Sequence, residues 1–505
     1  MADKPLSFGN FQLVSEAAGA RQLDPEEPFR ILICGDFSGR TNRVPAVTAT
    51  KPATLRPILI DRDNFEQVLQ QLDVLLDCVL TDSDGHAVSV KVRELDDFHP
   101  DRLFAAIPLF DSLSSTRRRL LNTATFSKAA AEVQSWAKLS TGKNETSPTI
   151  DRPAADIPAD LLGDILSSAE QTAQQRGTPD EWQSLIHSIV APYSIPGADP
   201  RRDEFVGLVD QAIGKTMQVI LRHPDFQALE ANWRGLYRLV RGLDTGSRLQ
   251  LYIVDVSLPE LAAGLAGDDL SASPLYRLLE TPVRGATEPC PYALSIGAYY
   301  FGNRTTDVEW LGRIAQIAAA TRTRWLSAAA SDLAGSFIAP ESSANKNRAE
   351  PPNEPWEALR GLAAASFVGV TWPRFLSCMP YGRQTSPTEA FHFEELDDQT
   401  RHDDLPWCNG VYLAALAAGQ AFSADGWDLD LAHMVEFSGM PIFTWKRNGD
   451  SELQTPGEML LDDVTTQRLM AQGVTPLLSI RNDDRLRLGM LRAVNGQPLA
   501  GRWSS

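Results

Sequence analysis

A chain of 505 residues, 43% of them hydrophobic, is long enough to bury two or more sizeable cores. Its formal net charge of −18 excludes a general nucleic-acid binder, which needs basic surface against phosphate, and disfavours contact with anionic membranes. No run reaches the ~18 apolar residues of a membrane span. The opening Met1-Ala2-Asp3-Lys4-Pro5 lacks a signal-peptide layout, and the five cysteines (Cys34, Cys78, Cys290, Cys378, Cys408) form no CxxC pair. A cytoplasmic chain without membrane insertion, with reduced and mostly structural thiols, is expected.

In chain order, Phe29-Arg30-Ile31-Leu32-Ile33-Cys34-Gly35 predicts a buried strand ending at glycine, and 56–60 a second short strand. Asp61 to Asn64 are set to cap a helix that carries Phe65, Val68, Leu69 and Leu72 on one face. Residues 78–80 and 87–92 predict a hairpin around Asp82-Ser83-Asp84-Gly85, and His99-Pro100-Asp101 opens another helix. The stretch 139–158, rich in Ser, Thr, Pro, Asn and Lys, reads as a linker. A short amphipathic helix follows at 160–169, with Leu161, Leu162, Ile165 and Leu166 on one face, and then a polar connection at 191–202.

Beyond it, Phe205, Leu208, Val209, Ile213, Met217, Ile220 and Leu221 repeat at helical spacing until Pro224 interrupts. A second helix carries Phe226, Leu229, Trp233, Leu236, Tyr237 and Val240. Strands are predicted at 249–256 and 292–297, a helix at 308–320, a strand-like run at 365–371, and a polar surface loop at 340–355. Residues 475–480 and 486–490 are expected to pair across Arg481 to Asp484. This alternation predicts an α/β fold.

The candidate chemistry is thin. Gly35-Asp36-Phe37-Ser38-Gly39-Arg40 follows a strand, but it lacks the lysine and hydroxyl of a phosphate loop, so a tight turn is expected there. Asp82-Ser83-Asp84-Gly85 opens like a calcium loop without the distal glutamate, and suits a hairpin turn better. The seven histidines (His86, His99, His187, His223, His392, His402, His433) make neither HxxxH nor HExxH, and no GxSxG elbow exists. His99 and His223 each precede proline and suit turns or caps. Glu394-Glu395 and Asp397-Asp398 are expected in a solvated acidic loop or a charged subunit contact. Trp233 is expected in the core, with Arg234 at the surface beside it.

Several segments carry a resemblance. The stretch from Pro28 to Arg40, then Ile60-Asp61-Arg62-Asp63-Asn64-Phe65 and Leu95-Asp96-Asp97-Phe98-His99-Pro100-Asp101, resemble in order the small subunit (TssB/VipA) of the type VI secretion contractile sheath. His223-Pro224-Asp225-Phe226-Gln227-Ala228-Leu229-Glu230-Ala231-Asn232-Trp233-Arg234-Gly235-Leu236 resembles the large subunit (TssC/VipB). So do Gly369-Val370-Thr371-Trp372-Pro373-Arg374-Phe375-Leu376, Pro380-Tyr381-Gly382, Phe391-His392-Phe393-Glu394-Glu395, Trp407-Cys408-Asn409-Gly410, and Ala421-Phe422 before Gly426-Trp427.

The resemblance implies a contractile, phage-tail-like sheath fold, with mixed sheets flanked by helices and both subunits in one polypeptide. Residues 1–138 would be small-subunit-like, 139–202 a linker, and 203–505 large-subunit-like. It implies a non-enzymatic, mechanical component without cofactors. Its expected partners are copies of itself or other sheath subunits, an inner tube protein, a baseplate, and an AAA+ recycling ATPase docking on Leu161, Leu162, Ile165 and Leu166. The family's large subunit continues well beyond the segment matching 473–478, with strand material that links neighbours by β-augmentation. In this chain Leu486, Leu488 and Met490 are expected to substitute as an inter-subunit strand, or the lateral linkage differs. The alternative function is a non-polymerising adaptor or cap that binds sheath or baseplate.

Overall fold

The computed structural model describes residues 6–10, 26–43, 54–79, 87–141, 202–280, 292–338, 354–447 and 450–503. The first half contributes strands β1 (Phe29–Gly35), β2 (Ile58–Ile60), β3 (Val74–Val79) and β4 (Ala87–Val92). Then come β5 (Leu249–Asp255), β6 (Leu294–Phe301), β7 (Arg324–Ala329), β8 (Val368–Trp372), β9 (Phe375–Leu376) and β10 (Trp407–Cys408). The last are β11 (Val435–Phe437), β12 (Phe443–Arg447), β13 (Asp450–Gln454), β14 (Val474–Ser479) and β15 (Leu486–Leu488).

One sheet of nine strands organises the molecule, in the order β11-β15-β14-β8-β7-β6-β1-β5-β2. Its middle is parallel: β1 pairs with β5 (Ile31 opposite Leu251) and with β6 (Ile31 opposite Leu294), and β7, β8 and β14 continue the same sense. Parallel strands covered on both faces need continuous apolar runs, and every residue of β1, β7 and β8 is buried. The outer strands β2 and β11 have three residues each, which leaves little edge for unwanted pairing.

Alternation along β1 divides the core. Phe29, Ile31 and Ile33 face one helical layer, with Phe226, Trp233, Tyr412 and Leu413. Leu32 and Cys34 face the other, with Leu261, Leu311, Ile314 and Trp356. The helix Val411–Asp425 lies within the first layer and is buried continuously from Val411 to Gly419. The architecture is mixed α/β with helices on both sheet faces, as expected.

The local elements follow their sequence signals. Arg202–Leu221 ends before Pro224, which takes the first turn of Pro224–Gly242, where its missing N–H is no loss. His99 caps Pro100–Ala106, its Nδ1 accepting from Asp101 N at 3.2 Å. Asp61 and Asn64 form a side-chain turn (Asn64 N to Asp61 Oδ1 2.9 Å, Asp61 N to Asn64 Oδ1 2.9 Å) that leads into Phe65–Gln71. β3 and β4 pair as the expected hairpin, and its turn lies outside the described residues.

Some boundaries differ from the sequence expectation. β6 starts at Leu294 and runs to Phe301, where its apolar run extends past Gly297. β8 starts at Val368 because 363–367 form a short 3-10 turn. β7 and Val411–Asp425 were not anticipated. The expected linker at 139–158 and loop at 340–355 lie outside the described residues except at their ends, where Phe126–Thr141 runs into the first and Glu354–Arg360 begins within the second.

The small-subunit-like and large-subunit-like stretches share this sheet and the first core layer, for β1 and β2 come from the first and β5 to β8 from the second. The helices Pro108–Leu121 and Phe126–Thr141 reach across to Arg202–Leu221 through Arg117–Asp210 (2.5 Å) and Phe126 against Phe205.

Candidate functional site

The carboxyl ends of β1, β5 and β6 meet the N-terminal half of Pro224–Gly242. The register sets Gly35 opposite Asp255. Asp255 Oδ1 therefore accepts from Phe37 N (2.9 Å) and Ser38 N (3.1 Å), and Oδ2 from Ser38 Oγ (2.7 Å). Asp36 accepts from Arg40 N and Thr41 N, each at 2.7 Å. Arg40 forks onto Glu260 (2.8 and 2.6 Å), which also closes a capping box with Ser257. Amides that could cradle a phosphate are thus filled by carboxylates of the same chain. The loop is the tight turn expected, with Gly39 at φ +78°.

Burial pushes the Asp255 carboxyl above its usual range, and the hydrogen bonds from Ser38 and Phe37 oppose it. Asp255→Ala would leave these donors unpartnered and cost about 2 kcal/mol, whereas Asp255→Asn, which keeps an acceptor, would cost less. Urea unfolding of the two variants tests this, and equal losses would contradict the role given to the acceptor oxygens.

Trp233 ties this loop down. It is fully buried, its Nε1 donates to Phe37 O (2.8 Å), and its ring packs edge-on to Phe37 and Phe65 (5.5 and 5.6 Å). Asn232 Nδ2 donates to Asp36 O at 3.1 Å, and Asn42 Nδ2 bridges Asp77 O and Asp225 Oδ2. Arg62 Nη2 donates to Arg241 O at 2.7 Å near the far end of the helix. Arg234 is not the surface side chain expected. It bonds Glu230 (2.7 Å) and the Tyr381 hydroxyl (2.9 Å), a partner brought by the loop after β9.

Part of the acidic run departs from the solvated loop expected. Glu394 and Asp398 are exposed, but Glu395 turns inward and accepts from Tyr381 N at 2.8 Å. Burial pushes its carboxyl up to about 7. Asp397 bonds Lys215 (2.5 Å) and Arg222 (3.3 Å). Burial opposes its ionisation, but Lys215, Thr400 and Arg222 pull it down to about 2. That part of the run is a clamp on Arg202–Leu221, not a solvated loop.

Beside this seam lies a cleft of about 650 Å³, lined among others by Asp36, Asn42, Asp225, Arg374, Asp403 and Trp407. In an α/β sheet this is where ligands usually bind. Here its charges face one another: Arg374 forks onto Glu458 (2.7 and 3.0 Å) and reaches Asp403, while Asn42 holds Asp225. No histidine, cysteine or serine lines it among the described residues. The arrangement braces chain against chain.

Of the residues singled out from sequence, Leu161, Leu162, Ile165 and Leu166 lie outside the described residues, as do His86, His187 and Cys290. Leu486 and Leu488 are buried in β15, which pairs with β14 on one edge and β11 on the other, both within this chain. Met490 lies just beyond that strand. His223 occupies the N-cap position without a side-chain capping bond. Burial pushes the thiols of Cys34, Cys78 and Cys408 up to about 12, which keeps them unreactive. Among the described residues, no group of three or more His, Cys, Asp or Glu is placed to hold a metal ion, and no helix is long and apolar enough to cross a membrane. Asp255 and Glu260 were not singled out, although the Ser257-x-x-Glu260 spacing was a signal for the second, and Tyr381 was quoted only within the resemblance, without a role.

Residues 203–492 match the family model described as EvpB/VC_A0108, tail sheath N-terminal domain (VipB). Residues 12–136 match the model described as Type VI secretion system, VipA, VC_A0107 or Hcp2. The type VI secretion system sheath protein TssC1 of Pseudomonas aeruginosa is 31% identical over 293 residues, which cover 56% of this chain and 59% of that relative.

Proposed function

The chain belongs to the type VI tail sheath family, and from that premise we propose that it is a sheath subunit carrying the small and large parts in one polypeptide, which assembles around an inner tube and drives its ejection by contraction. The observation that supports this best is the seat of β1, from the small-subunit-like stretch, between β5 and β6 of the large-subunit-like stretch. A strand so placed completes the sheet, so each building block needs both parts. Fusion fixes their ratio at one to one and makes their joining intramolecular.

Work would come from interfaces that mate in two discrete ways, and a head-to-tail contact that does not close builds a helical tube. The partners proposed are further copies or other sheath subunits, the inner tube, a baseplate and, in the cytoplasm, a recycling AAA+ ATPase. The ATPase would grip Leu161, Leu162, Ile165 and Leu166; Leu162→Asp with Ile165→Asp should abolish its binding, and unchanged binding retires that part. With both edges of β15 occupied in cis, a lateral strand link through Leu486, Leu488 and Met490 would require β15 to exchange one partner.

Electron microscopy of the purified chain, alone and with inner tube protein, tests the whole proposal. Helical tubes are expected. Discrete particles that only decorate the ends of sheaths built by other subunits would favour the adaptor instead.

A further inference from the structure

Arg324 opens β7, yet it is only 3% exposed. Its Nε donates to Leu499 O at 3.0 Å and its Nη2 to Trp503 O, and the guanidinium lies 3.3 Å from the centre of the Trp503 ring. No ion pair links it to a carboxylate among the described residues, and Nη1 has no partner there. Burying a cation against neutral acceptors alone is costly, because carbonyls and a ring face replace only part of its hydration. The same burial draws its pKa down to about 9. Sequence neighbours would not reveal this, since the partners lie 175 and 179 residues away.

Arg324 also lines a slot of about 120 Å³, with Arg492, Leu431, Met490, Leu499 and Trp503 around it. That is room for about four waters, or for one carboxylate on a short carbon stem. No aspartate or glutamate lines it among the described residues, although the chain carries a net charge of −18. Gly501 lies against the guanidinium, where a Cβ would come within 2.8 Å of Nη1.

We propose that this slot binds a single carboxylate group, with Arg324 at its floor, Arg492 at its rim and the carbon stem against Leu431, Met490 and Leu499. The group comes either from a small free carboxylate or from an acidic side chain of a second copy. The site rests on the slot alone and does not depend on the sheath function.

The test is the melting temperature of the full chain in sodium acetate against sodium chloride at equal ionic strength. Acetate should raise it saturably, by about 2–4 °C. Arg324→Met should abolish the response. Arg492→Met, at the partly exposed rim, should weaken it without threatening the fold. Equal melting in the two salts, or an acetate response unchanged in Arg492→Met and Arg324→Met, overturns the site. Where acetate stabilises, turbidity of self-association separates the sources. Slowing by acetate identifies the acid of a second copy, and stabilisation without slowing identifies a free carboxylate.

Discussion

Replacing Trp233 by alanine is expected to remove about 3–5 kcal/mol of stability, the cost of emptying a fully buried tryptophan site. Three losses coincide there. The indole surface returns to a void, the edge-on rings of Phe37 and Phe65 lose their partner, and Phe37 O loses its Nε1 donor. Trp233→Phe would keep much of the volume but still strip the donor, at about 1–2 kcal/mol. Denaturant midpoints with unchanged slopes measure both effects. The difference between the two variants isolates packing from the hydrogen bond. A Trp233→Ala loss below about 1 kcal/mol would mean that the seam between the two stretches is held elsewhere.

The second large effect is on pH dependence. Glu395 is buried, and burial is the main cause of its raised carboxyl, with Glu230 adding repulsion and Arg222 and Arg234 opposing it. Its folded value of about 7 lies above the ordinary 4.5, so the native state holds the proton more tightly than the unfolded chain. The associated stability is complete below about pH 4.5 and drains away as pH rises to about 7. At about 1.4 kcal/mol per unit over that span, roughly 3–4 kcal/mol is at stake. Glu395→Gln keeps an oxygen for Tyr381 N and removes the titration, so it should gain on the wild type across that window and hold the gain above it. Subtracting one unfolding curve from the other cancels the carboxylates common to both, including Asp397. A flat difference between pH 4.5 and 8 would place the titration elsewhere.

What the sequence made legible was mostly local. β1 and β5 announce themselves as apolar runs, Pro224 marks a helix start, and β14 and β15 are joined by a short turn. β7 escaped because Arg324 and Ser327 interrupt its apolar run, and Val411–Asp425 because burial on all sides leaves no periodic stripe. The site was harder to see. Arg234 looks exposed until Tyr381 arrives from 147 residues away, and Glu395 looks solvated until its backbone folds onto Tyr381. The resemblance gave the α/β sheath fold and its family, but it did not give the insertion of β1 into the middle of the sheet.

That insertion has a consequence for synthesis. Arg30 pairs across the sheet with Gln250, 220 residues later. At about 5–20 residues per second, β1 leaves the ribosome roughly 10–40 seconds before its neighbour exists. Throughout that wait it is an apolar segment with both hydrogen-bonding edges open, the condition under which nascent chains aggregate. Sheet completion is therefore a late event in the life of each new molecule, and its yield should depend on what shields β1 until β5 and β6 emerge.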